Sequence, residues 1–241
     1  AYFSLLEATC CRSGKAVIIQ AMNRYTADES ELSRFRKQIN TVLHLDLDGV
    51  LRPDSLEESD SYLFAVADDF DAKLLPSIIK RRTFELDETL NFAMNLIGTI
   101  GEAHAAQLVF KDLNPGMILY NPDTRQTRLI SVGMATDDGE SGLPLSDSDF
   151  VKTALPYVAP EITGRFHRVS GYYSDYYSFG AILFYLLTQR PPFIESNPIK
   201  LVNSILVQTP KPPSKINPTI PHPISDIILK LLSKRPEDRY Q

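Results

Sequence analysis

The chain has 241 residues, with 43 % hydrophobic, 10 % aromatic and 23 % charged residues. That balance excludes disordered, collagen-like and disulfide-framework classes, and the length suits one large domain or two closely joined lobes. Lys and Arg number 25 against 30 Asp and Glu, for a formal net charge of -5, and without a long basic run there is no electrostatic footprint for nucleic acid. The most apolar stretch, Phe179 to Leu187, is about half of what a bilayer crossing requires. No charged-then-apolar signal segment opens the chain, so a cytoplasmic location without membrane contact is expected. Cys10 and Cys11 are adjacent, cannot close a loop on each other without strain, and read as reduced thiols.

In chain order, Phe3 to Thr9, a turn at Arg12-Ser13-Gly14-Lys15 and Ala16 to Met22 predict a β-hairpin. Asp28-Glu29-Ser30 is a cap-like cluster, after which Leu32, Phe35, Ile39, Val42 and Leu43 recur at helical spacing through to His44. Val50-Leu51 and Tyr62 to Ala67 predict two more strands, with Pro53 to Asp60 as an acidic turn between them. From about Asp87 the pattern becomes helical, and Leu90, Ala93, Met94, Ile97, Ile100 and Gly101 define an apolar face. Short strands at Ile118-Leu119 and Leu129-Ile130 bracket a turn at Asn121-Pro122-Asp123, and a loop rich in Asp, Gly and Ser runs from Asp137 to Asp149. Ser174 to Leu187 is too apolar all round for a surface helix and is expected to be buried. A Pro-rich connector, Thr209 to Pro213, leads to a last helix over Ser225 to Leu232. A β-rich front and a helical back predict an α+β chain in two lobes, residues 1–71 and 72–241.

Five anchors occur in a fixed order: Lys111-Asp112-Leu113-Asn114-Pro115, Ser131-Val132-Gly133, Pro156 to Ile162, Asp175 to Thr188 with Arg190-Pro191-Pro192-Phe193, and Arg235 to Tyr240. Together they resemble the protein kinase family over essentially the whole chain. The resemblance implies a two-lobed kinase fold, with a small β-rich first lobe and a larger helical second lobe. Relative to that fold the chain is expected to begin after the Gly-rich loop and to stop before the final helix. Ala159-Pro160-Glu161 matches the end of the activation segment, Arg239 the arginine that pairs with its glutamate, and Asp175 the central-helix aspartate that holds the catalytic loop. More narrowly, Lys111 to Pro115, Asp226 to Lys234 and Glu237 to Gln241 are similar to the kinase-like domain at the N-terminus of hybrid histidine kinases, particularly fungal ones.

Phosphoryl transfer rests on placing charge around phosphates and Mg²⁺, so each charged part can be checked. On the resemblance, the strand lysine is replaced by Gln20 and its helix glutamate by Gln38. The catalytic-loop histidine is Phe110, and Asp112 alone keeps the base position. Met117 stands where an asparagine would bind metal, and Ser131 where an aspartate would. A thioether is a poor ligand for hard Mg²⁺, and removing charge clamps costs on the order of 10²–10³ in rate each. Asp112 without positioned ATP has nothing to act on and reads as a structural cap.

Ala67 falls at the gatekeeper position before the hinge, Asp68-Asp69-Phe70, where a small residue would leave a back pocket open to an adenine-like ligand. No metal and no obligatory cofactor are expected; weak nucleotide binding indifferent to Mg²⁺ is. His44, His104, His167 and His222 are scattered without spaced Cys or carboxylate partners, so a metal site is not expected. The acidic runs Glu57 to Asp60 and Asp137 to Glu140 read as solvated loops. The expected role is a regulatory pseudokinase module in a stress-signalling phosphorelay protein, with other domains of the same polypeptide and signalling proteins as partners. A divergent Ser/Thr kinase and a structural spacer are the alternatives.

Overall fold

The computed structural model describes residues 3–11, 13–111, 113–130, 148–163 and 171–241. Strands β1, Phe3–Thr9, and β2, Ala16–Asn23, pair antiparallel. The turn between them uses Gly14 at φ +70°, in the left-handed region that a side chain strains. Helix α1, Glu29–Leu43, starts with a capping box: Asp28 Oδ1 accepts from Glu31 N at 2.8 Å and Glu31 Oε2 accepts from Asp28 N at 2.9 Å. Its buried stripe, Leu32, Phe35, Ile39 and Val42, is the one the helical spacing predicts.

The segment read as an acidic turn instead holds strand β3, Ser55–Glu58, paired antiparallel with β4, Tyr62–Asp68. Two glutamates lower strand propensity, but this is the sheet edge, in the order β1-β2-β4-β3. There Glu58 is met by Arg24 at 3.0 Å and Arg36 at 3.2 Å, so tertiary pairing overrides local preference. Val50, read as part of a strand, makes only a parallel bridge to Leu129. Leu51 N donates to Leu129 O at 2.7 Å, tying this segment to the second half.

The second half opens with β5, Lys73–Leu74, and the one-turn helix α2, Leu75–Ile79. Helix α3, Leu86–Ala105, follows, and β6, Ile118–Tyr120, and β7, Thr127–Leu129, complete a small β5-β6-β7 sheet. The buried face of α3 is Thr89, Phe92, Leu96, Ile100 and Ala103, whereas Leu90 and Met94, expected inside, are 39 % and 71 % exposed. The offset has a polar cause. Glu88 is turned inward, where Arg82 donates to both its oxygens at 2.7 and 2.6 Å and the Tyr120 hydroxyl donates at 2.8 Å, and the helix rotates accordingly.

Helices α4, Ser148–Thr153, and α5, Tyr172–Thr188, come next. Nearly all of α5 beyond its first turn is buried. Gly180 lets α8, His222–Leu231, close on it, since a Cβ there would lie 2.6 Å from the Cβ of neighbouring Leu231. Between them lie α6, Pro198–Val207, and α7, Pro213–Ile216. Helix α6 was not anticipated, although Asn197 before Pro198 is a start signal: the Asn197 side chain accepts from Ile199 N at 2.9 Å and Lys200 N at 3.1 Å. The result is an α+β protein-kinase fold with a small β-sheet lobe and a helical lobe. Among the described residues no helix is long and apolar enough to cross a membrane.

Candidate functional site

The site lies where the two lobes meet. On the first-lobe side, β2 carries Gln20, fully buried, and α1 carries Gln38, 8 % exposed. Both residues have interaction partners, although Gln20 Nε2 is itself buried without a hydrogen-bond partner among the described residues, and both side chains are neutral at any pH that preserves the fold. The pairing of β2 with β4 sets Ile18 opposite Ala67 and Gln20 opposite Ala65. Ala67 is 1 % exposed and belongs to an apolar cluster with Ile18, Leu51, Ala72, Leu119 and Ile130. Ile18, Ala72 and Leu119 of this cluster also line a cavity of about 580 Å³ that runs along α2.

The hinge is held from both sides. Asp68 is exposed and 3.9 Å from Lys15, while Asp69 N donates to Ala16 O at 3.1 Å. The Phe70 carbonyl accepts from Asn121 Nδ2 at 2.7 Å, and Arg128 sits 4.6 Å from the centre of the Phe70 ring. Asn121 thus has two tasks, because its Oδ1 also caps its own turn by accepting from Asp123 N and Thr124 N.

On the second-lobe side, Phe110 is buried and followed by Lys111 at φ +60°. Asp112, and Ser131 with Gly133, lie outside the described residues. Asn114 Oδ1 accepts from Gly116 N at 2.9 Å, shaping the tight turn Pro115–Met117. Met117 is half-buried, and its carbonyl accepts from Ile130 N at 2.9 Å. This bond brings the end of β7 beside the turn that carries Met117. Among the described residues no three His, Cys, Asp or Glu side chains are gathered to hold a metal.

Below this loop is a frame of buried charge. Asp175 is fully buried on the first turn of α5. Its Oδ2 accepts from Phe110 N at 3.0 Å and its Oδ1 from Lys111 N at 2.8 Å, fixing the backbone that leads into Asp112. Its third contact is His104 Nε2 at 2.9 Å. The sequence reading set His104 aside as scattered, yet its ring lies 4.6 Å from Tyr172 and 5.5 Å from Tyr176. The available signal was its place in the last turn of the long helical pattern, where a histidine reaches inward.

Glu161 and Arg239 form the second part of the frame. Arg239 donates in bidentate fashion, Nη1 to Oε1 at 2.7 Å and Nη2 to Oε2 at 2.9 Å. Arg239 also donates to the carbonyls of Tyr173 and Ser233, at 2.7 and 2.9 Å, and Glu161 Oε1 accepts from Ser174 Oγ at 2.9 Å. Arg239 is 2 % exposed and Glu161 5 %. Burial beside this pair pushes the Tyr177 hydroxyl above the usual phenol range.

Two of the described positions are uncharged. Gln20 offers no cation to phosphate, and the Met117 thioether offers no hard oxygen to Mg²⁺.

Comparison with known proteins agrees with this fold. A probable serine/threonine-protein kinase of Streptomyces coelicolor is 26 % identical over 236 residues, covering 95 % of this chain and 35 % of its own. PrkC, a serine/threonine-protein kinase of Bacillus subtilis, is 26 % identical over 219 residues, 90 % of this chain and 33 % of its own. Histidine protein kinase 1 of Candida albicans is 30 % identical over 167 residues, 67 % of this chain but 7 % of its own. The chain thus spans about a third of the bacterial relatives and a small part of the Candida one. The crystal structure of Rad53 1–466 in complex with AMP-PNP superposes with a TM-score of 0.76 at 18 % identity, covering 99 % of this chain and 59 % of that one. Residues 4–241 match the family described as "Protein kinase domain", and the chain belongs to that family.

Proposed function

We propose that this domain is a pseudokinase, a protein kinase fold that transfers no phosphoryl group and serves as a regulatory module. The observation that carries the reading is the pair of buried amides. A lysine and glutamate at Gln20 and Gln38 would hold phosphate through an ion pair; two amides keep the positions filled and polar while supplying no charge. Met117 extends the same loss to the metal side. With several charge clamps missing together, the remaining Asp112 acts on nothing, because a base contributes only when its substrate is positioned.

The parent protein would be a hybrid histidine kinase of a stress-signalling phosphorelay, working in the cytoplasm. Similarity to the Candida histidine kinase supports this. Its partners are then neighbouring domains of the same polypeptide and the proteins of the relay. Likeness to the bacterial proteins supports a second reading, a divergent Ser/Thr kinase in which Asp112 takes the substrate proton.

Thermal shift with ATP, with and without Mg²⁺, and radiolabel transfer to a generic substrate separate the two. The pseudokinase reading expects no Mg²⁺-dependent stabilisation and no transfer. Micromolar Mg²⁺-dependent ATP binding, or transfer abolished by Asp112→Ala, would establish the divergent kinase.

A further inference from the structure

A second cavity, of about 470 Å³, lies between α3, the start of β7 and the loop at Asp48–Gly49, and shares no lining residue with the cleft positions Gln20, Gln38 and Met117. Its lining runs along α3 from Met94 to Glu102, about 12 Å at the rise of an α-helix, so the space is a trough. Gly49 seats the loop on α3, since a Cβ there would overlap the Thr99 side chain, and Gly98 keeps the wall open, since a Cβ there would meet nothing within 4 Å. Three polar groups on the trough lack partners. Asp48 and Glu102 are exposed, and neither carboxylate makes a hydrogen bond or ion pair to a described residue, whereas nearby Asp46 is met by Arg52 at 3.6 Å. Thr127 is 8 % exposed, and its Oγ1 is buried without a hydrogen-bond partner among the described residues. Side chains alternate along a strand, so Thr127 and the core residue Leu129 face α3. Arg128, between them, turns the other way, with its guanidinium 4.6 Å from the centre of the Phe70 ring. The trough is therefore left negative, with an unmet hydroxyl in its wall.

We propose that this trough binds a linear aliphatic polyamine, with its ammonium groups on Asp48 and Glu102 and an amine N–H donating to Thr127 Oγ1. Two carboxylates from separate elements call for two cationic centres on one extended chain. A compact dication such as Mg²⁺ instead needs several hard oxygens gathered around one point, and no three His, Cys, Asp or Glu side chains are so gathered among the described residues. Gly98 and the exposed Met94 offer the methylene stem an uncharged wall. A buried hydroxyl without a partner costs free energy, and a ligand that brings it a donor recovers part of that cost. The inference is independent of the pseudokinase reading, because none of these residues belongs to the cleft.

The test is a calorimetric titration of the chain with spermidine at low ionic strength, where exposed charge is least screened. Asp48→Asn and Glu102→Gln should each weaken binding about three-fold, as expected for exposed charge pairs. Asp60→Asn removes an exposed carboxylate outside the cavity and should leave the affinity unchanged. Thr127→Val should weaken binding about three-fold and, because it removes a buried hydroxyl that has no partner, should raise the melting temperature of the free chain. Gly98→Leu fills the trough and should abolish binding, while the better helix former keeps the melting temperature at or above the parent's. Spermidine should stay bound when Mg²⁺ replaces Na⁺ at matched ionic strength. An equal loss on Asp60→Asn, full displacement by Mg²⁺, binding that survives Gly98→Leu, affinity unmoved by Thr127→Val, or no saturable heat overturns the proposal.

Discussion

Two polar sites of this molecule are similarly buried, but one is charged and the other neutral. Beneath the loop, Glu161 and Arg239 form a charged pair whose own donors and acceptors are all partnered. In the cleft, Gln20 and Gln38 occupy comparable burial without charge. The difference follows from what each loss would leave behind. Deleting one member of a buried pair strands the other, whereas replacing both by neutral groups of similar shape is nearly free. A frame that holds the fold must keep both charges. A charge pair that serves only a ligand can vanish as a pair once the ligand is not used.

The largest way to break this comparison is Arg239→Ala. It strands Glu161 beneath α5 and should cost about 3–5 kcal/mol in a urea melt. Combining it with Glu161→Leu should recover part of that loss, because no lone carboxylate remains. A parent-like midpoint for the single variant would show that the pair does not hold the domain.

Asp175→Asn comes next. The carboxylate accepts from two backbone amides and meets His104; an amide turns an NH₂ group toward one of those donors. The cost should be about 2–3 kcal/mol, with faster hydrogen exchange at Phe110 and Lys111. Unchanged exchange there would assign Asp175 to α5 alone.

Gln20→Lys asks the reverse question of the cleft. A cation at a fully buried position, with neutral Gln38 where a carboxylate would pair with it, should cost about 1–3 kcal/mol, and adding Gln38→Glu should restore stability. If Gln20→Lys alone melts like the parent, the cleft is wetter than its burial implies and the comparison loses one side.

Much of this contrast was legible before the structure. Glu161, Asp175 and Arg239 stand in motifs whose spacing is fixed by the fold, so their residue types carry the geometry with them. The α1 cap was legible because Asp28 and Glu31 satisfy each other locally. What was not legible depends on partners distant in sequence. Strand β3 exists because β4 and two arginines receive it, and the inward face of α3 is set by Glu88 meeting Arg82 and Tyr120. A small residue at Ala67 removes its own volume, but how much of that space neighbours such as Ile18 and Leu119 take up is set by packing between segments distant in sequence. Asp112 and Ser131 lie outside the described residues, so their part of the contrast rests on sequence.

The smallest effect tests how far the charged frame reaches. Lys234 Nζ donates to Ile205 O at 2.6 Å, in the last turn of α6, and lies 4.3 Å from the centre of the Phe193 ring. Burial, with Arg239 nearby, pushes its ammonium down to about 8. An unfolded lysine keeps its proton to about 10.4, so between these values the unfolded chain binds more protons and this group's contribution to stability rises with pH. Below about 8 both states are protonated and the contribution is flat. Lys234→Met keeps the stem on Phe193 and removes the titration. The difference in urea midpoint between parent and variant should therefore be constant from pH 6 to 7.5 and then move in the parent's favour toward pH 10, as the neutral amine keeps its bond to Ile205 without the desolvation cost. A difference independent of pH would confine the frame's electrostatics to Glu161 and Arg239.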